Sequence, residues 1–119
     1  MRQRFGIVAA IVGLGLVLAT IGPVHAADGA ALWEKNCASC HGADGKGDTK
    51  AGKLTKVQDL TATDVKTKLT RDTVRQTIEQ GVTDKATGKT RMKGYKDKFS
   101  AEEVDALTTH VLGLIGGTK

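Results

Sequence analysis

The sequence predicts a small all-α domain, on three observations. Apolar residues recur three and four apart in several stretches, and no run alternates apolar with polar residues as a half-buried strand would. Helix-start residues (Asp, Thr or Ser) stand just before those stretches. The segments between them are glycine-rich or charged, which suits loops.

The first 26 residues read as an export signal. Arg2 and Arg4 form a basic start, an apolar run follows from Phe5 to Gly22, and Val24-His25-Ala26 is a small-residue cleavage pattern. Cleavage is expected after Ala26, which places the protein in the periplasm. At 18 residues the run from 5 to 22 is also long enough to anchor an uncleaved chain in a membrane. Its glycines favour cleavage. The arginines are split by Gln3, so a twin-arginine signal is not expected. Residues 27–119 are 93 residues, which makes one domain.

The first helix of that domain should be capped by Asp28 and run through Trp33 into Cys37-Ala38-Ser39-Cys40-His41. A C-x-x-C-H run is a site of covalent haem attachment. Two thiols one helical turn apart can add to the two haem vinyl groups as thioethers. The histidine after the second thiol is placed to bind the iron from one face, and haem iron needs such an axial ligand. Three other readings are weaker. A thioredoxin-type C-x-x-C wants a βαβ setting. A structural zinc site wants four ligands, usually from two pairs, and no second pair follows. A plain disulfide requires that haem never be installed.

The remaining elements follow in order. Gly42 to Asp48 is too glycine-rich and polar for regular structure. Between Lys50 and Lys68, Leu54, Val57, Leu60 and Val65 are spaced for one short helix. Thr70 should cap a better helix, with Val74 and Ile78 on one face and Gly81 as its stop. Residues 83–91 read as a charged loop. Ser100 and Glu103 form a capping box for the last helix, whose apolar face is Val104, Leu107, Val111 and Ile115, and Gly116-Gly117 ends it.

Composition also argues for a cofactor. From residue 27 on, only 16 residues are Leu, Ile, Val or Phe, about 17%, below the roughly 20% at which disorder becomes a serious reading. Trp33, Tyr95 and Phe99 are the only aromatics there. Yet 16 Lys and Arg stand against 13 Asp and Glu, too small an imbalance to favour an expanded chain. A buried porphyrin resolves the conflict, because it supplies apolar area at about 25 cal/mol per Å².

With these residues in view, the chain resembles the small bacterial class I, monohaem c-type cytochromes. The resemblance rests on Cys37 to Gly42, the glycine-rich loop behind it, and Met92-Lys93-Gly94-Tyr95 leading into Phe99-Ser100-Ala101-Glu102-Glu103. It implies three to five helices wrapped around one covalently attached haem c, with the N- and C-terminal helices in contact. It further implies His41 and Met92 as axial iron ligands, Cys37 and Cys40 as thioether donors, and Trp33 and Tyr95 as haem-pocket contacts. Met92 is the only methionine besides the initiator, and its thioether is a soft donor that suits haem iron. In the family a glycine and aromatic pair on the first helix meets a leucine and aromatic pair on the last. Gly29 and Trp33 match the first pair. Leu107 and His110 match the second, with a helix-contact histidine where an aromatic is usual. Relatives often carry a proline carbonyl that accepts from the ligand histidine. Here Pro23 is the only proline, so another carbonyl within 45–56 is expected to serve. Relatives also often have proline two after the methionine. Gly94 stands there and is expected to loosen the ligand loop.

Filled by His41 and Met92, the iron has no free position for a substrate, so the resemblance implies a soluble, monomeric one-electron carrier rather than an enzyme. One alternative is a haem-based sensor or peroxidase-like protein whose Met92 leaves to admit a small molecule. Another is a membrane-anchored cytochrome subunit of a larger redox complex. Lys46, Lys50, Lys53 and Lys56 flank the first haem-side loop, and Lys85, Lys89, Arg91, Lys93, Lys96 and Lys98 flank Met92. Two basic runs at one cofactor edge imply redox partner proteins with acidic docking surfaces. Nucleic acid is not expected, since aromatics for stacking are scarce.

Because apolar side chains are few, the double substitution Cys37→Ser, Cys40→Ser is expected to give a haem-free chain without a cooperative unfolding transition, read by circular dichroism in denaturant.

Overall fold

The computed structural model describes residues 27–116, together with Gly13 and Gly15. Apart from those two glycines, the expected export segment and its cleavage point after Ala26 lie outside the described residues, as does Gly117. Helices α1 (Gly29–Asn36), α2 (Ala38–His41), α3 (Lys50–Thr55), α4 (Thr63–Lys66) and α5 (Arg71–Gln80) come first. Strands β1 (Gly81–Thr83) and β2 (Thr90–Lys93) and helix α6 (Ala101–Leu114) complete the order.

The caps read from sequence are present. Asp28 accepts the Ala31 amide at 3.1 Å and starts α1. Thr70 starts α5 in a reciprocal capping box with Thr73, and Ser100 starts α6 in one with Glu103. Gly81, at φ 74°, ends α5. The first helix breaks once on its way into the cysteine motif. Cys37 sits at φ −122°, ψ −37°, and the side-chain amide of Asn36 donates back to the Leu32 carbonyl at 2.9 Å. A separate turn, α2, then carries Cys40 and His41.

The stretch 50–68 holds two short helices where one was expected. Thr49 caps α3 by accepting from Gly52, and Lys56, at φ 55°, ψ 46°, ends it in the left-handed region. Residues 83–91 depart more clearly from the loop read in the sequence. β1 and β2 pair antiparallel, with Val82 opposite Met92 and an irregularity between Val82 and Thr83. Asp84 builds the turn: its carboxylate accepts the amides of Ala86 at 2.9 Å and Thr87 at 3.0 Å.

Nine apolar side chains of the described residues form the core, including Trp33 from α1, Val74 and Ile78 from α5, Tyr95 and Phe99 from the segment after β2, and Leu107 and Val111 from α6. As expected, α1 lies directly on α6. Gly29 makes this possible, because a Cβ there would collide with the Ala106 carbonyl and crowd the His110 Cβ. The α5–α6 contact is pinned at its rim by Arg71, which reaches Asp105 at 2.9 Å and the Thr109 hydroxyl at 3.2 Å.

Candidate functional site

Three cavities open between α2, the 55–60 segment, α5 and the hairpin, and the largest encloses about 330 Å³. Exactly two residues are common to the walls of all three, His41 and Met92. They are therefore parts of one cleft bounded by the two side chains expected to be axial ligands. The inner part is lined by Trp33, Leu60, Leu69, Val74, Ile78 and Val111 and is almost wholly apolar. Cys37, Cys40 and Tyr95 line the outer opening beside Asn36. All six residues singled out in the sequence thus line this cleft.

The loop around α2 is held by its own backbone. The Gly47 amide donates to the His41 carbonyl at 2.7 Å, and the Thr49 hydroxyl donates to the Cys40 carbonyl at 2.7 Å. Trp33 closes the rear: its indole N–H donates to the Gly42 carbonyl at 3.1 Å, and its ring lies 5.4 Å from the His41 ring. Burial lowers the His41 imidazole below the usual histidine range, so it is neutral with a lone pair available. Nδ1 is buried without a hydrogen-bond partner among the described residues. The carbonyl expected from residues 45–56 therefore does not reach it.

Burial, and then the neighbouring Cys40, push the Cys37 thiol up to about 11. Thiol–disulfide enzymes need the opposite, a lowered thiol pKa, which argues against the thioredoxin reading. Neither cysteine is in a disulfide.

Met92 reaches the cleft because it is the one residue of β2 that is not exposed. The segment after it is fastened to the end of α5: the Tyr95 and Lys96 amides donate to the carbonyls of Ile78 at 2.9 Å and Glu79 at 3.1 Å. These carbonyls have no partner within their own helix. Gly94 allows the approach, since a Cβ there would run into Glu79 and Gln80 backbone. Its place in the structure is a tight junction between the hairpin's end and α5. The Tyr95 hydroxyl donates to the Asn36 carbonyl at 3.3 Å, and burial raises its pKa. The hairpin escaped sequence reading because its strands are three and four residues long, with no alternation beyond Met92 itself.

The comparisons with known proteins agree with this geometry. A model of the family described as Cytochrome c matches residues 26–114. The chain belongs to the cytochrome c family. It is 35% identical over 85 residues to cytochrome c6 of Microcystis aeruginosa, covering 71% of this chain and 91% of that one. The solved KustC0563 c-type cytochrome superposes with a TM-score of 0.63 at 28% identity, covering 73% of this chain and 96% of that chain. A tyrosine-to-phenylalanine mutant of the same cytochrome superposes at 0.61 with 28% identity, over 73% and 98% of the two chains. Membership carries a covalently bound haem c with its iron and makes the chain a haem c electron carrier. The residues present fit that group: an apolar cleft, two thiols at its opening, and an imidazole and a thioether in its walls.

His110 packs against Trp33 with ring centroids 5.5 Å apart and planes at 45°, the helix contact expected of it. Its Nε2 is buried with no partner among the described residues, which costs about 1–3 kcal/mol. His110→Phe keeps the ring and removes that atom. It is expected to stabilise the haem-loaded protein by about 1 kcal/mol, read as a higher denaturant midpoint.

Proposed function

We propose that the protein is a soluble one-electron carrier whose haem is held by thioethers from Cys37 and Cys40 and ligated by His41 and Met92. One observation carries this reading: His41 and Met92 are the two residues common to every part of the cleft. Bound there, haem supplies a one-electron change between Fe(III) and Fe(II). The chain's own residues hold and shield it. Trp33 and the Gly42 carbonyl orient the α2 turn, the fastening of Gly94–Lys96 to α5 holds Met92, and the apolar inner wall excludes water. A thioether ligand favours the ferrous state relative to a second histidine. The tight Gly94 junction supports a firmly held Met92 over the labile ligand of a sensor or peroxidase.

Export to the periplasm through residues 1–26 belongs to the same reading, since haem is attached to exported chains. Among the described residues no helix is long and apolar enough to cross a membrane. Acidic redox proteins are the proposed partners. Lys56 on one side of the cleft and Arg91 and Lys93 on the other line its openings, while Lys66 and Lys68 line none of the three cavities. Exposed Val82 supplies apolar contact on the same side.

The ligation is tested optically. Oxidised protein is expected to show the weak long-wavelength sulfur-to-iron band, and Met92→Ala is expected to abolish it. A wild type that lacks the band and binds carbon monoxide readily when reduced would favour the sensor. The partner face is tested by kinetics. Electron transfer to an acidic partner should slow as salt shortens the Debye length from about 30 Å at 0.01 M to about 10 Å at 0.1 M. Lys93→Glu with Lys96→Glu should slow it much more than Lys66→Glu with Lys68→Glu. Equal slowing by both pairs would mean that only net charge matters.

A further inference from the structure

Met92 sits on a hairpin whose strands are only three and four residues long, and an isolated two-stranded hairpin is marginally stable at best. The amides of Tyr95 and Lys96 tie its end to α5. The opposite wall of the cleft is α3 and the segment after it, and among the described residues a single hydrogen bond joins that wall to the hairpin. It comes from Arg91, whose Nη2 donates to the Lys56 carbonyl at 3.4 Å. The other guanidinium nitrogen, Nη1, lies 4.0 Å from Asp84 Oδ2, and both side chains are about two-thirds shielded from solvent. Asp84 is itself fixed by the Ala86 and Thr87 amides. The acceptor is just as defined, since Lys56 ends α3 in the left-handed region and is the one non-glycine among the described residues with positive φ.

We propose that Arg91 is a positioning residue for Met92: its guanidinium bridges the hairpin turn to the end of α3 across the cleft mouth and keeps the Met92 strand closed. Arg91 precedes Met92 directly, and its side chain lines two of the three cavities. The fork geometry matters, because one nitrogen serves each wall, whereas a lysine offers a single point donor. This inference rests on His41/Met92 ligation.

Imidazole added to the ferric holoprotein is the probe, because it takes the position that Met92 vacates. Its apparent affinity scales with the fraction of molecules in which the hairpin is open. Arg91→Ala is expected to raise that affinity about tenfold, the effect of losing one modest hydrogen bond. Arg91→Lys keeps the charge but not the fork and should raise it several-fold; it decides the matter if the alanine variant does not fold. Lys89→Ala removes a neighbouring charge of the hairpin without touching the bridge and should leave the affinity at the wild-type value. Wild-type affinity in both Arg91 variants would overturn the proposal, as would an equal rise in Lys89→Ala. A wild type without the sulfur-to-iron band would instead overturn the ligation on which the inference rests.

Discussion

The chain carries too few apolar side chains to fill its own centre, and the rest of the structure depends on that shortage. Among the described residues nine buried hydrophobic side chains form the core, drawn from α1, α5, α6 and the segment after β2. What remains between α2, α5 and the hairpin is a cleft with apolar walls. A porphyrin is a large flat apolar surface that suits such a space, with burial favourable by about 25 cal/mol per Å². A haem bound there would supply the missing part of the core.

Local structure then brings Cys37, Cys40, His41 and Met92 to the walls of that space. The motif sets Cys37, Cys40 and His41 one turn apart, and the break at Cys37 separates their turn from α1. Burial keeps the imidazole neutral and the Cys37 thiol protonated. From the other side Met92 enters on the single inward position of a short strand. Trp33 backs the His41 side: it is buried in the core, its ring lies beside the His41 ring, and it donates to the Gly42 carbonyl. His110 extends the contact on the far side of Trp33.

Much of this was legible in the sequence because it is written in short-range patterns. Asp28, Thr70 and Ser100 cap the helices they were expected to cap, since a cap needs only residues within one turn. The α1–α6 contact was legible from Gly29, Trp33, Leu107 and His110 through the family resemblance. The hairpin was not, because Val82 and Met92 pair across a turn and neither strand alternates. The role of Gly94 was also hidden. Composition alone makes glycine a source of freedom, and only the position of the α5 carbonyls shows that the missing Cβ is what permits contact. Arg91 reads as one more surface cation until Lys56 ends α3 with its carbonyl facing the guanidinium.

The central claim is that haem lies inside the cleft between His41 and Met92 and completes the core. Proton NMR of the reduced holoprotein tests it most directly, because the porphyrin ring current displaces the resonances of protons held against its face. The account predicts strongly displaced signals for the Met92 methyl and clear shifts for the methyls of Leu60 and Leu69 on the cleft wall. Ordinary positions for all three, with haem still attached to the cysteines, would place the porphyrin outside the cleft and contradict the account.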